Sequence, residues 1–463
     1  MFLPIVLVLY YLVRPEFKNT VLLAASLFFY AWGEPKYVIL MIISIVMNYF
    51  FALLIDFNRD RSKLSKRILG VMVLCNLSML GIFKYTNFVV DIINGFFNMS
   101  ISIPQIPLPI GISFFTFQAM SYVIDVYRKD GEVQKNPQNM ALYISLFPQL
   151  IAGPIVRYQT VANQIKIRTE NFEKFSNGVK RFIIGFSKKM ILANNCGLVA
   201  DHVFGLQPEE MSVGLSWIGI IAYSLQIYFD FSGYSDMAIG LGKMFGFEFL
   251  ENFNYPYISN SIADFWRRWH ISLGSWFRDY LYIPLGGNRC GNLKTYRNLL
   301  IVWFATGLWH GASWTFIAWG LYYGLFIMME RAFLGTILRK MPTVIQHIYS
   351  LIIVVIGWVF FRADTFGYAF SYIRTMFGVN GIGLWDPEAK FYICEYGIII
   401  VISIIAATPV FKILSQKTAQ NKTNAGIAFL VETVTTVFYL SIFVLSITYV
   451  VSNTFNPFIY FRF

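Results

Sequence analysis

Charged side chains are scarce in this chain of 463 residues. Only 13% of its residues are Asp, Glu, Lys or Arg, whereas soluble domains carry about 25%. Hydrophobic residues make up 57% of the chain, which excludes a soluble multidomain protein. Apolar runs recur at Phe2–Val13, Thr20–Trp32, Tyr37–Ile55, Ile68–Phe83, Ser212–Phe229, Asn298–Met329, Ile348–Phe361, Phe391–Phe411 and Ala425–Val451. The composition predicts one all-α, polytopic membrane domain over residues 1–463.

Cysteine and several catalytic motifs are also scarce or missing. The four cysteines, Cys75, Cys196, Cys290 and Cys394, form no Cys-x-x-Cys pair. Neither a disulfide framework nor a metal site is therefore predicted. The chain contains no Gly-x-Ser-x-Gly elbow, no P-loop and no His-Glu-x-x-His sequence. These absences argue against the hydrolases, nucleotide-binding proteins and metalloproteases that carry such motifs.

The basic residues lie mainly in short connections between apolar runs. The net charge is +12, and five of the basic residues fall in Arg59–Arg67, which we place in the cytosol. This distribution predicts a membrane protein rather than a nucleic-acid partner. Met1–Val13 is interpreted as a short or tilted first span, Arg157–Lys189 as a cytosolic or interfacial helix, and Ile110–Gly153 as a region of re-entrant helices.

His310 falls in the uncharged run Asn298–Met329, and the chain has only four histidines. The run is long enough to cross a bilayer, because about 20 apolar residues span the hydrocarbon core. An ionisable side chain at that depth is costly and indicates a functional site. Gly307 and Gly311 would let another backbone or a substrate approach the imidazole. The alternative is a core histidine that donates to a neighbouring carbonyl.

A second histidine, His270, belongs to the segment Asp264–Leu281. At about 100° per residue, this segment predicts one continuous amphipathic helix with His270 on its apolar face. Its tryptophans and arginines suit a membrane interface. Two interpretations stay open, because His270 is either a packed residue of an interfacial anchor or a participant in the chemistry.

Two carboxylates in an apolar stretch, Asp230 and Asp236, need partners. Arg267 or Arg268 could supply them. Alternatively, the carboxylates are structural and fix helix positions through buried pairs.

Four other titratable side chains are interpreted without a catalytic role. Lys188 and Lys189 are predicted to snorkel at an interface. His202 and His347 stand near predicted span ends and are interpreted as incidental.

Seven segments taken together resemble the membrane-bound O-acyltransferase superfamily, in particular its bacterial alginate O-acetyltransferase-like branch. They are Pro109–Phe114, Ala152–Ile155, Gln226–Asp236, Glu251–Tyr257, Phe265–Gly287, Gly307–Trp314 and Asn456–Phe463. The similarity covers nearly the whole chain. It implies about eleven membrane-crossing helices, with re-entrant and interfacial helices around a channel, in the cytoplasmic membrane.

The resemblance also implies roles for individual residues. His310 matches the near-invariant intramembrane histidine and is expected to be the general base, and His270 matches the second histidine. No bound cofactor is expected, and the donor substrate is acetyl-CoA or another acyl thioester. Arginine pairs well with phosphate because its planar fork bonds two oxygens. The residues expected to contact the donor are Arg267, Arg268, Arg289, Asp230 and Trp309.

The expected activity is transfer of an acetyl group across the membrane for O-acetylation of an extracytoplasmic polysaccharide. Expected partners are the bilayer, the thioester donor, and an extracytoplasmic SGNH-type acetyltransferase or the polysaccharide itself. One alternative is a D-alanyl transfer protein for teichoic acid, from another branch of the superfamily, against which the ending Asn456–Phe463 argues. Another is a transporter of acyl groups or lipid-linked sugars, although no internal repeat is evident.

Overall fold

The computed structural model describes residues 1–380, 382–420 and 425–452. Their secondary structure is helical, and no β-strand occurs in these ranges, which confirms the predicted all-α class. The family segment Asn456–Phe463 lies outside the described residues. The backbone forms two compact units, one of residues 1–179 with 238–250, the other of residues 180–237 with the described part of 251–463. A single functional domain over residues 1–463 stays a prediction.

The first unit is built from the N-terminal helices. They are α1 (Phe2–Leu12), α2 (Lys18–Gly33), α3 (Val38–Phe57), α4 (Ser62–Phe97), α5 (Ile112–Arg128), α6 (Pro137–Ser145), α7 (Tyr158–Lys166) and the start of α8 (Phe172–Ser187). With 11 residues, α1 is roughly 16 Å long, about half the thickness of a hydrocarbon core, and the short first span over Met1–Val13 stays a prediction. Nearly every side chain of α5 is buried, and α6 has only 9 residues, so both fit the predicted re-entrant region.

The second unit contains the rest of α8 and most of α10 (Val213–Met244), which the two units share. Its other helices are α9 (Asn194–Val203), α11 (Ile262–Arg268), α12 (Ile271–Phe277), α13 (Asn292–His310), α14 (Trp314–Met329), α15 (Gly335–Leu338), α16 (Thr343–Arg362), α17 (Phe366–Met376), α18 (Pro387–Ala406), α19 (Val410–Gln420) and α20 (Ala425–Ser452). Wider π-helical turns extend three helices, at Lys188–Ala193, Arg278–Tyr282 and Glu330–Leu334.

Six helices among the described residues are long and apolar enough to cross a membrane. They are Val38–Phe57, Ser62–Phe97, Trp314–Leu338, Thr343–Arg362, Pro387–Ala406 and Phe429–Ser452. This number supports the predicted polytopic membrane protein. The total of about eleven crossings that the resemblance implies stays a prediction.

The uncharged run that carries His310 is divided between two antiparallel helices. α13 ends at His310 and α14 begins at Trp314, with residues 311–313 as the turn. The two helices pack closely through glycine. A Cβ atom on Gly307 would lie 2.4 Å from the Phe316 carbonyl oxygen, and one on Gly320 would lie 2.3 Å from the Trp303 carbonyl oxygen. Only glycine permits so close a contact without displacement of the backbone.

Candidate active site

His310 is buried in an aromatic environment at the end of α13, with 8% of its surface exposed. Its ring lies 5.0 Å from that of Trp309, 4.9 Å from that of Trp319 and 5.4 Å from that of Phe361, measured between ring centroids. All three contacts are edge-to-face, which fixes the orientation of the imidazole.

The glycines on either side of His310 allow α13 and α14, which form an antiparallel helical hairpin, to pack closely against each other. Gly307 faces the backbone of Phe316, and a Cβ atom on Gly311 would lie 2.1 Å from the Phe316 ring. The predicted close approach to this segment is therefore made by another part of the same hairpin.

His270 lies at a break between two short helices, so the predicted continuous helix over Asp264–Leu281 is wrong. α11 ends at Arg268, α12 begins at Ile271, and His270 adopts a left-handed backbone conformation with a φ of 46°. His270 is nevertheless buried, as predicted, with 4% of its surface exposed. The hydrophobic pattern correctly indicated which side chains face inward, although the backbone is not a single helix.

Asn252 stabilises the break from another segment of the chain. Its carbonyl oxygen accepts a hydrogen bond from the Ile271 amide at 2.9 Å. Its side-chain oxygen accepts bonds from the amide and the hydroxyl of Ser272, at 3.1 and 2.9 Å. Because these bonds supply partners to the first turn of α12, the chain can start a new helix directly after His270.

Glu330 fixes the other end of α11. Its two carboxylate oxygens accept hydrogen bonds from the amides of Ile262 and Ala263, at 2.7 and 3.0 Å. Ser261 caps the same helix by accepting a bond from the Asp264 amide at 3.1 Å. A carboxylate suits a helix N-terminus, where backbone amides point outward. Sequence reasoning missed Glu330, whose only signal is an acidic residue at the end of an apolar run.

His270 and His310 line the same narrow cavity, which has space for roughly one water molecule. Trp309 stands beside both, since its ring lies 6.2 Å from the His270 ring and 5.0 Å from the His310 ring. Burial lowers the pKa of His270 to about 3, so its imidazole is neutral at pH 7. The remaining lining residues are Ile227, Phe231, Trp269, Trp319, Trp358 and Phe361.

Lys189, rather than either predicted arginine, neutralises Asp230. Its ammonium nitrogen lies 2.6 Å from an Asp230 carboxylate oxygen, and both side chains are buried. The Asp236 carboxylate pairs with Arg181 at 2.6 Å and with Lys188 at 2.7 Å. Both carboxylates thus have the buried ion pairs that the structural interpretation predicts. The prediction that Lys189 snorkels is wrong, because its side chain is only 7% exposed, whereas snorkelling of Lys188 stays a prediction.

Arg267 and Arg268 pair with Asp264, three and four residues earlier, at 3.4 and 2.9 Å. The helical periodicity of α11 explains this pairing, because residues at these spacings share a face. The Arg267 side chain is 75% exposed, and Arg289 is also exposed. None of the three arginines lines the cavity. Their contact with the donor stays a prediction.

The two remaining histidines are held away from the cavity lining. His202 lies 2.6 Å from Glu388, and His347 lies 3.0 Å from the carbonyl oxygen of Ser259. Both contacts fit the interpretation that these histidines are incidental.

The helical architecture and the family match together place the chain in the class of membrane-bound acyltransferases. Residues 135–363 match the model of the MBOAT, membrane-bound O-acyltransferase family, and this range contains every residue that lines the cavity. The chain belongs to this family, which confirms the resemblance drawn from its motifs. It is an O-acyltransferase and a multi-pass membrane protein.

Three relatives show which members of the family this chain is similar to. The chain is 45% identical over 390 residues to the probable alginate O-acetylase of Azotobacter vinelandii, covering 83% of this chain and 78% of the relative. It is 37% identical over 451 residues to the peptidoglycan O-acetyltransferase of Helicobacter pylori, covering 89% and 85%. Identity to the teichoic acid D-alanyltransferase of Streptococcus thermophilus is 30% over 259 residues, covering 51% and 59%. The similarity is therefore more extensive to the two O-acetylating relatives.

Proposed function

We propose that this protein moves an acetyl group from a cytosolic thioester across the cytoplasmic membrane, for O-acetylation of an extracytoplasmic polysaccharide. The donor is acetyl-CoA, used as a substrate. Two relatives whose names specify alginate and peptidoglycan O-acetylation support the acetyl group and the polysaccharide acceptor. The observation that carries the proposal is the pair of buried histidines on one cavity within the region that matches the family.

His310 acts as the general base. A neutral imidazole nitrogen accepts the proton of the acceptor hydroxyl, whose oxygen attacks the thioester carbonyl carbon. The carbon–sulfur bond then breaks, an oxygen ester forms, and the departing thiolate takes up a proton. Positioned acid–base catalysis of this kind contributes roughly 10²–10⁴-fold. The aromatic rings around His310 support this role, because excluding water protects a reactive thioester from hydrolysis.

His270 acts on the donor side of the same cavity. Its neutral imidazole has one N–H donor, which can hydrogen-bond the thioester carbonyl or the departing thiolate, while the proton that His310 takes from the hydroxyl passes to that thiolate. The burial that lowers its pKa supports this role by keeping the ring uncharged. Its position between two helices places the ring on the cavity wall, where it can also orient the reacting groups around His310.

The donor phosphates stay near three arginines that precede or follow the His270 segment in the chain. Arg267 and Arg268 are the last two residues of α11, and Arg289 lies between α12 and α13. A guanidinium fork suits phosphate oxygens. Trp309 packs beside both histidines and supports the acyl end of the donor. Asp230 is assigned a structural role instead, because it is paired with Lys189.

The acceptor hydroxyl belongs either to the polysaccharide or to an SGNH-type acetyltransferase that completes the transfer outside the membrane. A D-alanyl group for teichoic acid is the second candidate, which the similarity to the D-alanyltransferase favours. The two acyl groups differ chemically, so the esters on the polymer identify the donor. Transport without transfer is less well supported, because the family is named for acyl transfer to oxygen.

The proposal is tested in cells that lack this gene and carry the parent, His310→Ala or His202→Ala. Esters are released from the cell-envelope polymers with mild base and analysed by mass spectrometry. The proposal expects acetyl esters with the parent and with His202→Ala, and their loss with His310→Ala at equal protein level. Alanyl esters would favour the D-alanyl candidate. Equal esters with and without the gene would contradict acyl transfer by this protein.

A further inference from the structure

One wall of the cavity is formed by two residues of α10. Ile227 and Phe231 are four residues apart and therefore lie on the same face of the helix. Both are buried, and the Phe231 ring lies 6.5 Å from the His270 ring. This wall meets the space beside the donor-side histidine, where the acyl chain of a thioester must fit if its carbonyl is to reach both imidazoles.

The wall that faces His310 has a different construction. The rings of Trp319, Trp358 and Phe361 pack on one another, at 4.9 Å for Trp319–Phe361 and 5.5 Å for Trp358–Phe361. Trp319 and Phe361 also contact the His310 ring. A change in this aromatic cluster would alter both the cavity and the support of the general base. The α10 wall is thus the part whose size can vary with less effect on His310.

α10 is held in place beside this wall and cannot easily move back to enlarge the cavity. A Cβ atom on Gly185 would lie 2.5 Å from the carbonyl oxygen of Gly233, so α8 and α10 touch there through their backbones. The buried ion pair between Lys189 and Asp230 fixes the same crossing one turn earlier on α10. The positions of Ile227 and Phe231 are therefore fixed by the packing of α10 against α8.

We propose that Phe231, together with Ile227, sets the upper length of the acyl group that this enzyme transfers. The cavity beside the histidines has space for roughly one water molecule, which is close to the size of a methyl group. An acetyl methyl fits that space, whereas the added methylenes of a butyryl group meet the Phe231 ring. The inference rests on the proposed function and names the residue behind its acetyl selectivity.

The chemical step is the same for either acyl group. The hydroxyl oxygen bonds to the acyl carbon, the carbon–sulfur bond breaks, and the hydroxyl proton passes through His310 to the thiolate. Only the fit of the acyl chain changes with its length. One methylene in an apolar pocket commonly changes specificity by about 10–200-fold. Enlarging the cavity by shortening a wall side chain should therefore change the selectivity between acyl groups measurably.

The test uses inverted membrane vesicles from cells that make the enzyme and its own acceptor polymer. The vesicles receive an equimolar mixture of acetyl-CoA and butyryl-CoA, and the ratio of butyryl to acetyl esters on the polymer is measured by mass spectrometry. Phe231→Ala is expected to raise this ratio at least about tenfold, and Phe231→Leu to raise it less. The reason is that each substitution removes part of the wall.

Phe229→Ala is the matched control. Phe229 is also buried in α10 and packs on Tyr228 at 4.9 Å, but it does not line the cavity. The same volume is removed from the same helix, so the ester ratio should stay at the parent value. If Phe229→Ala retains too little protein for this comparison, Phe229→Leu against Phe231→Leu provides it.

Two results would overturn the inference while the proposed function stands. One is an unchanged ratio in both Phe231 variants while acetyl transfer continues. The other is an equal rise in the Phe229 variants, which would mean that general loosening of α10 causes the change. A parent enzyme that forms no ester from either thioester contradicts the proposed function, and the inference then fails with it.

Discussion

The ammonium group of Lys189 lies 2.6 Å from the carboxylate of Asp230, and their side chains are only 7% and 1% exposed. This pair joins the π-helical turn that follows α8 to the part of α10 that borders the cavity. Arg181 and Lys188, which precede Lys189 in the chain, pair with Asp236 further along α10, at 2.6 and 2.7 Å. These ion pairs therefore stabilise the position of α10, which forms one wall of the cavity.

Removing one partner of the buried Lys189–Asp230 pair should destabilise the protein much more than removing both. Lys189→Met leaves the Asp230 carboxylate buried without its ammonium partner and should lower the free energy of unfolding by about 3–5 kcal/mol. The double variant Lys189→Met with Asp230→Leu should recover most of that loss, because apolar side chains can replace a buried pair. Thermal unfolding in detergent measures the stability of the single and the double variant. Equal losses in the single and double variants would contradict the pairing.

The sequence indicated that Asp230 and Asp236 need partners but misidentified them. Arg267 and Arg268 are the partners that the sequence suggests. They instead pair within their own helix, with Asp264. The partner Lys189 is 41 residues from Asp230, and only the crossing of two helices brings them together. No periodicity within one helix contains that information.

Stability should depend on pH through His270, which lies outside the six candidate spans. Its pKa falls from an ordinary 6.5 to about 3 on burial, so between these values the unfolded chain binds more protons than the folded one. Stability must therefore fall as the pH drops through that range. At pH 4.5 the loss is on the order of 2–3 kcal/mol relative to pH 7.5.

The measurement compares thermal unfolding of the parent and His270→Asn at pH 7.5 and 4.5. Asparagine tolerates the left-handed backbone at this position and carries no charge in that range. The parent should lose more stability on acidification than the variant does. Equal losses in the two proteins would show that His270 is not buried in its neutral form.

The close packing of α13 on α14 should make Gly307 intolerant of a side chain. Gly307→Ala places a Cβ atom 2.4 Å from the Phe316 carbonyl oxygen, which should cost about 1–3 kcal/mol and displace His310 three residues later. Gly70→Ala in α4 is the control, since no atom lies within 4 Å of its added Cβ. That change should leave stability equal or higher by about 0.4–1 kcal/mol. Similar unfolding temperatures for the two variants would contradict the packing.

Much of the site can be predicted from the sequence, because buried residues produce a local pattern of apolar and uncharged neighbours. An uncharged run around His310 and an apolar face around His270 predicted two buried histidines, and the motifs indicated the family. The break at His270 was not predictable in this way, because Asn252 stabilises it from another segment. The aromatic lining from α10 and α16 likewise depends on tertiary packing, as Phe231 and Phe361 lie in apolar stretches that give no reason to single them out.

The central claim is that His310 is the base of an acetyl transfer. Inverted membrane vesicles carrying the parent, His310→Ala or His202→Ala receive acetyl-CoA labelled in its acetyl group, and ester-linked label on the acceptor polymer is followed over time. At equal protein level, His310→Ala should reduce the initial rate by at least about 100-fold, while His202→Ala retains the parent rate. Acetylation at the parent rate in His310→Ala would contradict the account.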